Sequence, residues 1–305
     1  MALITTSNHP HDLWPGVAAW FGTNLKQHNP EYTDLFDRYT SNKAYEEYVQ
    51  STGMGYAPVK AQGAALQYDA GQEGYLSRLT NVTYALGYAI TMEELQDNLY
   101  AEVSRRRAGD LAISMMQTKE VVAATVYDRA FNSSYPIGDG EPLISASHPT
   151  VGGSVQSNLI TVASDLSELA LENLLIQIMQ TQDDRNFQIA NMARCLVVHP
   201  SEYFNACRIL DSVLQNDTAN NATNAIRAKG LIPDGVKVNH YLTDPNAWFL
   251  RTDCPGPTMI YQERMKLKFD KDNDFNTKNA LASSVERYTF GVGEWRGIFA
   301  SPGAS

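Results

Sequence analysis

The sequence predicts an α+β fold in which an irregular aromatic N-terminal arm leads into an extended β-hairpin, a long helix and a small α/β unit. Three observations predict it. Residues 75–90 follow a period of two, with Leu76, Val82, Tyr84, Leu86, Tyr88 and Ile90 on one parity and Ser77, Asn81, Thr83, Ala85, Gly87 and Ala89 on the other. Directly after them, Met92, Leu95, Leu99, Val103, Leu111, Met115, Val122, Val126 and Ala130 follow helical spacing. From Cys195 onward, short apolar runs bounded by turn residues alternate with one helical segment.

Residues 1–45 carry Trp14, Trp20, Phe21, Tyr32, Phe36 and Tyr39 without strand or helix period until about Asn29. Aromatic residues on an irregular segment need a surface to bury against. A neighbouring molecule or the chain's own domain both supply one, and the sequence leaves the two equal. The alternation over 75–90 reads as one strand of roughly 50 Å at ~3.3 Å per residue, paired with the segment before it. Between the two lies GMGYAPVKAQGAALQYDAGQEG, glycine-rich and poor in core-forming residues. A hairpin of that length is too long for one compact domain to bury, so it is expected to project and lie on a neighbour. Thr91 and Glu94 form a capping box at the helix start, and Gly109 is the place for a kink before the helix ends near Phe131.

A Pro-, Gly- and Ser-rich loop spans 133–158, and Asp165 is the expected cap of a second helix through Leu169, Leu174, Leu175, Ile178 and Met179. Cys195–Val198 reads as a buried strand, followed by His199-Pro200 and a helix through Phe204, Ile209 and Leu214. The Asn/Thr-rich stretch Asn216–Asn224 reads as a surface loop. Short strands are expected at Val236–Val238, Trp248–Leu250, Thr258–Tyr261, Arg264–Phe269, Val285–Val292 and Trp295–Phe299.

Hydrophobic residues make up 43% of the chain and charged residues 19%, which is a globular composition. No run of eighteen apolar residues exists to span a membrane, and the first residues lack the basic-then-apolar order of a secretory signal. The net charge of −10 argues against a chain that grips nucleic acid through its phosphates, and suits one that lives beside DNA without sticking to it. Cys195, Cys207 and Cys254 are an odd number without a CxxC pair, so they read as free thiols, with zinc as the alternative.

Candidate chemistry fails at each motif. Asp270-Lys271-Asp272-Asn273-Asp274 starts like a calcium loop, but Phe275 stands where glycine is needed and Leu281 where glutamate is needed. Gly291-Val292-Gly293 starts a dinucleotide fingerprint, but Arg296 occupies the third glycine position and no helix follows. The histidines at 9, 11, 28, 148, 199 and 240 show no metal-ligand spacing, and His148 and His199 each precede a proline, which favours extended or turn roles. In the run Arg105-Arg106-Arg107, Arg106 lies at i,i+4 from both Glu102 and Asp110, which marks a solvated or subunit-contacting helix face. There is no GxSxG elbow and no P-loop. No catalytic, cofactor-binding or metal residues are assigned, and an enzyme is not expected.

The order of arm, long hairpin, long helix, α/β unit and return strands resembles the major capsid proteins of tailed bacteriophages, whose shell fold is named after the phage Hong Kong 97. NVTYALGYAITMEELQDNLY at 81–100, KGLIPDGVKVNHYLTDPNAWFL at 229–250 and FDKDNDFNTKNALASSVERYTFGVGEWRGIFASPG at 269–303 resemble the major head subunits of Mu-like phages. The resemblance implies an N-terminal arm at 1–45, an extended loop at 46–90, a peripheral domain with its spine helix at 91–192 and 263–305, and an axial domain at 193–262. The Asn216–Asn224 loop would then meet its counterparts at the centre of each hexamer or pentamer. It further implies an icosahedral head enclosing double-stranded DNA, a virion protein assembled in the host bacterial cytoplasm without cofactors. A portal and a separate scaffolding protein are implied as partners, because only about 45 residues precede the extended loop; a decoration protein is an optional further partner.

Two rival readings stand beside this one. An encapsulin-type nanocompartment shell shares the fold but lacks a long aromatic arm, and a soluble enzyme with dispersed catalytic residues is at odds with the long glycine-rich hairpin. Some capsid proteins of this type cross-link an extended-loop lysine to a neighbour's asparagine beside a glutamate. The matching residue types here are Lys60, then Asn273, Asn276 and Asn279, and Glu286. Such a bond needs a dry site that suppresses the lysine's ammonium form, which the flanks APVKAQG do not offer. Non-covalent closure of the shell by the arm and hairpin is therefore expected.

Overall fold

The computed structural model describes residues 21–23, 29–96, 100–215 and 222–304. Its first sheet has four strands in the order β1 (Asp37–Thr40), β10 (Met259–Asn273), β11 (Ala280–Val292) and β4 (Val82–Ile90). β11 runs antiparallel to both β10 and β4, and β1 lies parallel to β10. β11 is the clearest product of period-two patterning. Ala280, Ala282, Ser284, Glu286, Tyr288, Phe290 and Val292 all face inward, with partly exposed residues between them. The two short strands expected at 258–261 and 264–269 are one strand, β10, bent by register irregularities between Glu263 and Lys268.

The long helix lies against this sheet. A short helix, α2 (Met92–Gln96), follows Thr91, whose Oγ1 accepts from the Glu94 amide as the capping box requires. α3 (Tyr100–Asp128) then runs unbroken through Gly109 for 29 residues, about 43 Å at ~1.5 Å per residue. Its inner face is rich in alanine: Ala108, Ala112, Ala123 and Ala124 are buried there with Leu111, Met115, Glu120 and Tyr127. Alanine there lets the helix approach β4 and β11 closely.

The second sheet has the order β12 (Ile298–Ser301), β9 (Trp248–Thr252), β7 (Ala193–Val198) and β8 (Val236–Val238). α4 (Glu168–Met179) and α5 (Tyr203–Asp211) cover it, so that Leu171, Leu174, Ile178, Ala206 and Ile209 share a core with Leu196, Val198, Trp248, Trp295 and Phe299. A second core joins both sheets to the long helix, where Tyr127 packs with Val197, Phe249, Tyr288 and Phe290, and a third sets Ala108, Leu111, Ala112 and Met115 against Phe21, Ile90, Ala280 and Ala282. Residues 298–301, read from sequence with the peripheral segments, thus hydrogen-bond to β9 in the sheet of the 193–262 unit.

Several sequence expectations are corrected. Residues 75–90 are not one strand. β3 (Glu73–Thr80) pairs with β2 (Tyr45–Ser51), whereas β4 pairs with β11, and the break falls at Asn81. The inward parity changes with it: Ser77 is buried while Leu76 is exposed, yet on β4 Ile90 is buried. The cap of α4 is Ser167, whose hydroxyl accepts from the Ala170 amide, and Asp165 instead accepts from the Ala304 amide. Residues 295–297 form a 3₁₀ turn before β12. Asn224, expected in a surface loop, is buried and caps the short helix α6 (Ala225–Lys229), accepting from the Arg227 amide. The rest of that loop from 216 to 221, with Trp14, Trp20, Leu99 and the histidines at 9, 11 and 28, lies outside the described residues.

For the arm, the described part folds onto its own subunit. Phe21 meets Phe269 at 4.9 Å between ring centroids, Tyr32 meets Tyr261 and Phe290, and Phe36 meets Tyr127 and Phe290. Tyr32 begins α1 (Tyr32–Leu35), whose first amides are held by the buried Glu120 of the long helix: the amides of Glu31 and Tyr32 donate to its carboxylate at 2.9 and 3.0 Å.

Candidate assembly surface and its buried frame

The extended hairpin is built on a short stem. β2 and β3 pair from Tyr45–Thr80 to Ser51–Glu73, and the neck closes where the Thr52 amide donates to the Gln72 carbonyl and the Gln72 amide to Thr52 Oγ1. Residues 52–72 carry no regular strand or helix, in keeping with their glycine content. Their apolar side chains are left to solvent: Val59 is 101% exposed, Tyr68 93%, and Met54, Tyr56 and Leu66 are also exposed. Lys60 is exposed among them. So many large apolar groups on one loop leave a broad apolar surface open to solvent.

A polar frame fixes the stem to the body. Asn81 turns the chain out of β3 and into β4: its Nδ2 donates to the Lys43 carbonyl at 3.0 Å, and its Oδ1 accepts from Gln262 Nε2 at 3.0 Å. Tyr48 donates to Gln262 Oε1, and Gln50 Nε2 donates to Glu294 Oε2 at 2.7 Å. Glu294 belongs to a buried polar cluster centred on Arg296. There Arg296, 4% exposed in its side chain, donates to Glu294 Oε1, Asp184 Oδ1, Gln156 Oε1 and the Gln182 carbonyl at 2.8–3.0 Å. Burial raises the Glu294 carboxyl above the ordinary carboxylate range, and Arg296 pulls it back.

Trp295 stacks on His148 with ring centroids 4.4 Å apart. His148 Nδ1 lies 2.6 Å from Asp139 Oδ2 and Nε2 lies 3.0 Å from Asn158 Oδ1. Asn158 Nδ2 donates to the carbonyls of Leu143 and Ile298, which makes its Oδ1 an acceptor. His148 therefore donates from Nε2, and its Nδ1 hydrogen-bonds Asp139 on the other side. Both side chains are at most 1% exposed, which makes this a structural pin and leaves no room for a substrate. The sequence reading of His148 as extended is correct, since His148–Pro149 form β5, paired with β6 (Val155–Gln156).

The residues considered for covalent closure are not assembled within the subunit. Asn273, Asn276 and Asn279 sit at the β10–β11 turn, where Asp274 accepts from the Asn276 amide and Thr277 Oγ1. Glu286 is six residues beyond Ala280 along β11, on the order of 20 Å away. It is buried and holds Lys119 at 2.5 Å, under the rings of Tyr32, Tyr261 and Tyr288; burial raises its carboxyl against the pull of Lys119.

The discarded motifs have structural explanations. The Asp270–Asp274 run ends a strand and opens its turn, and a Cβ at Gly293 would run into the Pro257 carbonyl, so that glycine serves close packing. Burial pushes the Cys195 thiol up to about 11 and the Cys254 thiol up to about 12, and all three cysteines are free. Among the described residues no three His, Cys, Asp or Glu side chains converge as a metal site, and no helix is long and apolar enough to cross a membrane. Arg296, Asn81, Asn158 and Asp184 were not legible as a frame: each is a lone polar residue whose partners come from elsewhere in the chain.

Among solved structures, the fold is similar to the virus-like particle from Pyrococcus furiosus, at 10% identity and a TM-score of 0.54, covering 93% of this chain and 97% of that one. It is similar to the capsid of an empty GTA particle, at 14% identity and 0.55, covering 90% of each. It is also similar to Mycobacterium phage Patience, at 13% identity and 0.52, covering 98% of this chain and 88% of that one. Identities this low show the fold alone, which is the tailed-phage shell fold of the Hong Kong 97 type. Compared with curated proteins, the sequence matches none. The family model described as phage capsid protein matches residues 77–301, from the hairpin's return strand to the last strand. With the match spanning most of its length and every core element from β4 to β12, this chain belongs to the phage capsid protein family.

Proposed function

We propose a specific place for this capsid protein, which forms the phage head: it is the major shell subunit, arranged as hexamers and pentamers around double-stranded DNA, in the Mu-like branch. On this reading it resides in the virion after assembly in the host cytoplasm, alongside a portal and a separate scaffolding protein, and it catalyses no reaction. The observation that carries the reading is the hairpin, whose apolar side chains from Met54 to Tyr68 stay exposed in the single subunit. Burying them on an adjacent subunit is worth ~1.5–3 kcal/mol for each large side chain, repeated at every lattice contact. Hairpin 45–80 is then the extended loop, α3 the spine helix, and the second sheet with its helices the axial unit. The net charge of −10 supports a container, since a like-charged wall leaves packaged DNA free to slide. An enzyme-enclosing compartment is less supported, because the matching family model is a phage capsid protein.

The test is to replace Pro58–Gln67 by a Gly-Ser pair. The subunit is expected to stay folded, with unchanged circular dichroism and thermal midpoint, and to form no shells by electron microscopy. Normal particles from that variant would overturn the role given to the hairpin.

A further inference from the structure

The small hairpin at 182–188 is a built turn. Gln182 bridges Gln188, the Asp183 carboxylate accepts from the amides of Arg185 and Phe187 at 2.8 Å each, and Asn186 takes the left-handed conformation at φ 63°. Ser154 Oγ donates to Asn186 Oδ1 at 2.8 Å. A non-glycine residue at positive φ costs energy and persists where its surroundings over-determine it. The result of this construction is that Arg185 and Phe187 are presented side by side to the waist of the extended hairpin. Arg185 Nη1 donates to Asp69 Oδ2 at 2.5 Å and Nη2 to the Ala70 carbonyl at 2.6 Å. Asp69 Oδ2 also accepts from the Gly55 amide at 2.6 Å, tying the two sides of the hairpin together at the same point. The Tyr56 ring lies 4.2 Å from that of Phe187. Gly55 fits this crossing because a Cβ there would stand 3.1 Å from Asp69 Oδ2 and 3.4 Å from Arg185 Nη1.

We propose that the 182–188 turn is a docking seat for the extended hairpin of its own subunit, with Arg185 as the clasp that aims the hairpin before assembly. The two contacts of the guanidinium use the planar fork that lysine lacks. The ion pair is partly exposed, at 23% and 48% of the two side chains, so it is weak and screened by salt. Weakness suits a clasp that has to hold the loop's direction and still yield as the loop settles on a neighbour. The aiming role rests on the proposed shell function; the docking itself does not.

The experiment uses the full-length unassembled subunit and follows hydrogen exchange and limited proteolysis across 53–72. At low salt, R185A is expected to raise cleavage within the hairpin by about two- to fivefold, with R185K in between. In 1 M sodium chloride the wild type is expected to approach the R185A rate, while R185A itself changes little. The thermal midpoint of the body should be the same in all three, because the ion pair lies outside the hydrophobic cores. Equal cleavage of R185A and wild type at low salt would overturn the docking seat. In an assembly assay R185A is expected to form shells several-fold more slowly. A loosened hairpin with wild-type assembly would overturn the aiming role and leave the seat standing. Assembly by the Pro58–Gln67 replacement would instead overturn the shell role of the hairpin, without bearing on the cleavage result.

Discussion

Replacing Arg296 with methionine tests the buried polar frame. Methionine fills much of the same volume but withdraws four donated hydrogen bonds, leaving Asp184 and Glu294 without their cation and the Gln156 and Gln182 oxygens without a donor. Breaking a buried ion pair by removing one partner costs ~3–5 kcal/mol, mostly because the remaining charge is left desolvated. Both partners are enclosed, with Asp184 4% and Glu294 13% exposed in their side chains, so solvent relieves little of that cost. At ~2.1 cal/mol/K per residue, the unfolding entropy of 305 residues is on the order of 0.6 kcal/mol/K. The thermal midpoint should therefore fall by roughly 5–8 °C. The loss should also depend on pH. Burial already raises the Glu294 carboxyl, and losing Arg296 raises it further. A carboxyl raised in the folded state stabilises below its unfolded value and loses that contribution as pH rises through the folded value. The deficit of the variant is thus smaller at pH 5 than at pH 7.5. Melting curves at both pH values check this, and a shift under 2 °C, or one equal at the two pH values, would refute the account of the cluster.

Two further outcomes follow from the same structure. E120A removes the carboxylate that accepts from the Glu31 and Tyr32 amides; it should cost about 1–3 kcal/mol and raise hydrogen exchange first around 31–36, before the second sheet responds. Mature particles boiled in detergent and reductant should give a single band near the chain's 33.8 kDa, because Glu286 is engaged by Lys119 and Lys60 lies in an open loop. A ladder of multimers abolished by K60A would sink the non-covalent reading.

The hairpin region shows where local reading ends. Period-two alternation over 75–90 correctly marked extended chain, but alternation carries no information about partners, and both halves satisfy it while belonging to different sheets. What divides them is Asn81, a polar residue with nothing unusual around it in sequence, whose three side-chain hydrogen bonds depend on Ser41, Lys43 and Gln262 arriving from two other segments. The arm posed the same difficulty. Its aromatic residues demanded burial, and only the rings of Tyr127, Tyr261, Phe269 and Phe290 decide that Phe21, Tyr32 and Phe36 pack on their own subunit.

The sequence by itself determined the α+β class, the long helix, the period-two strands, the unstructured glycine-rich tip and, through long matching stretches, the family. Those properties are carried by neighbours within a few residues, where 3.6 and 2.0 periods, caps and turn residues act. Tertiary structure alone decided the sheet partners, the return of β12 to the second sheet, and the buried frame of Asn81, His148, Asn158 and Arg296. A buried polar side chain is stable only when donors and acceptors converge on it from distant segments, and that convergence exists only once the chain has folded.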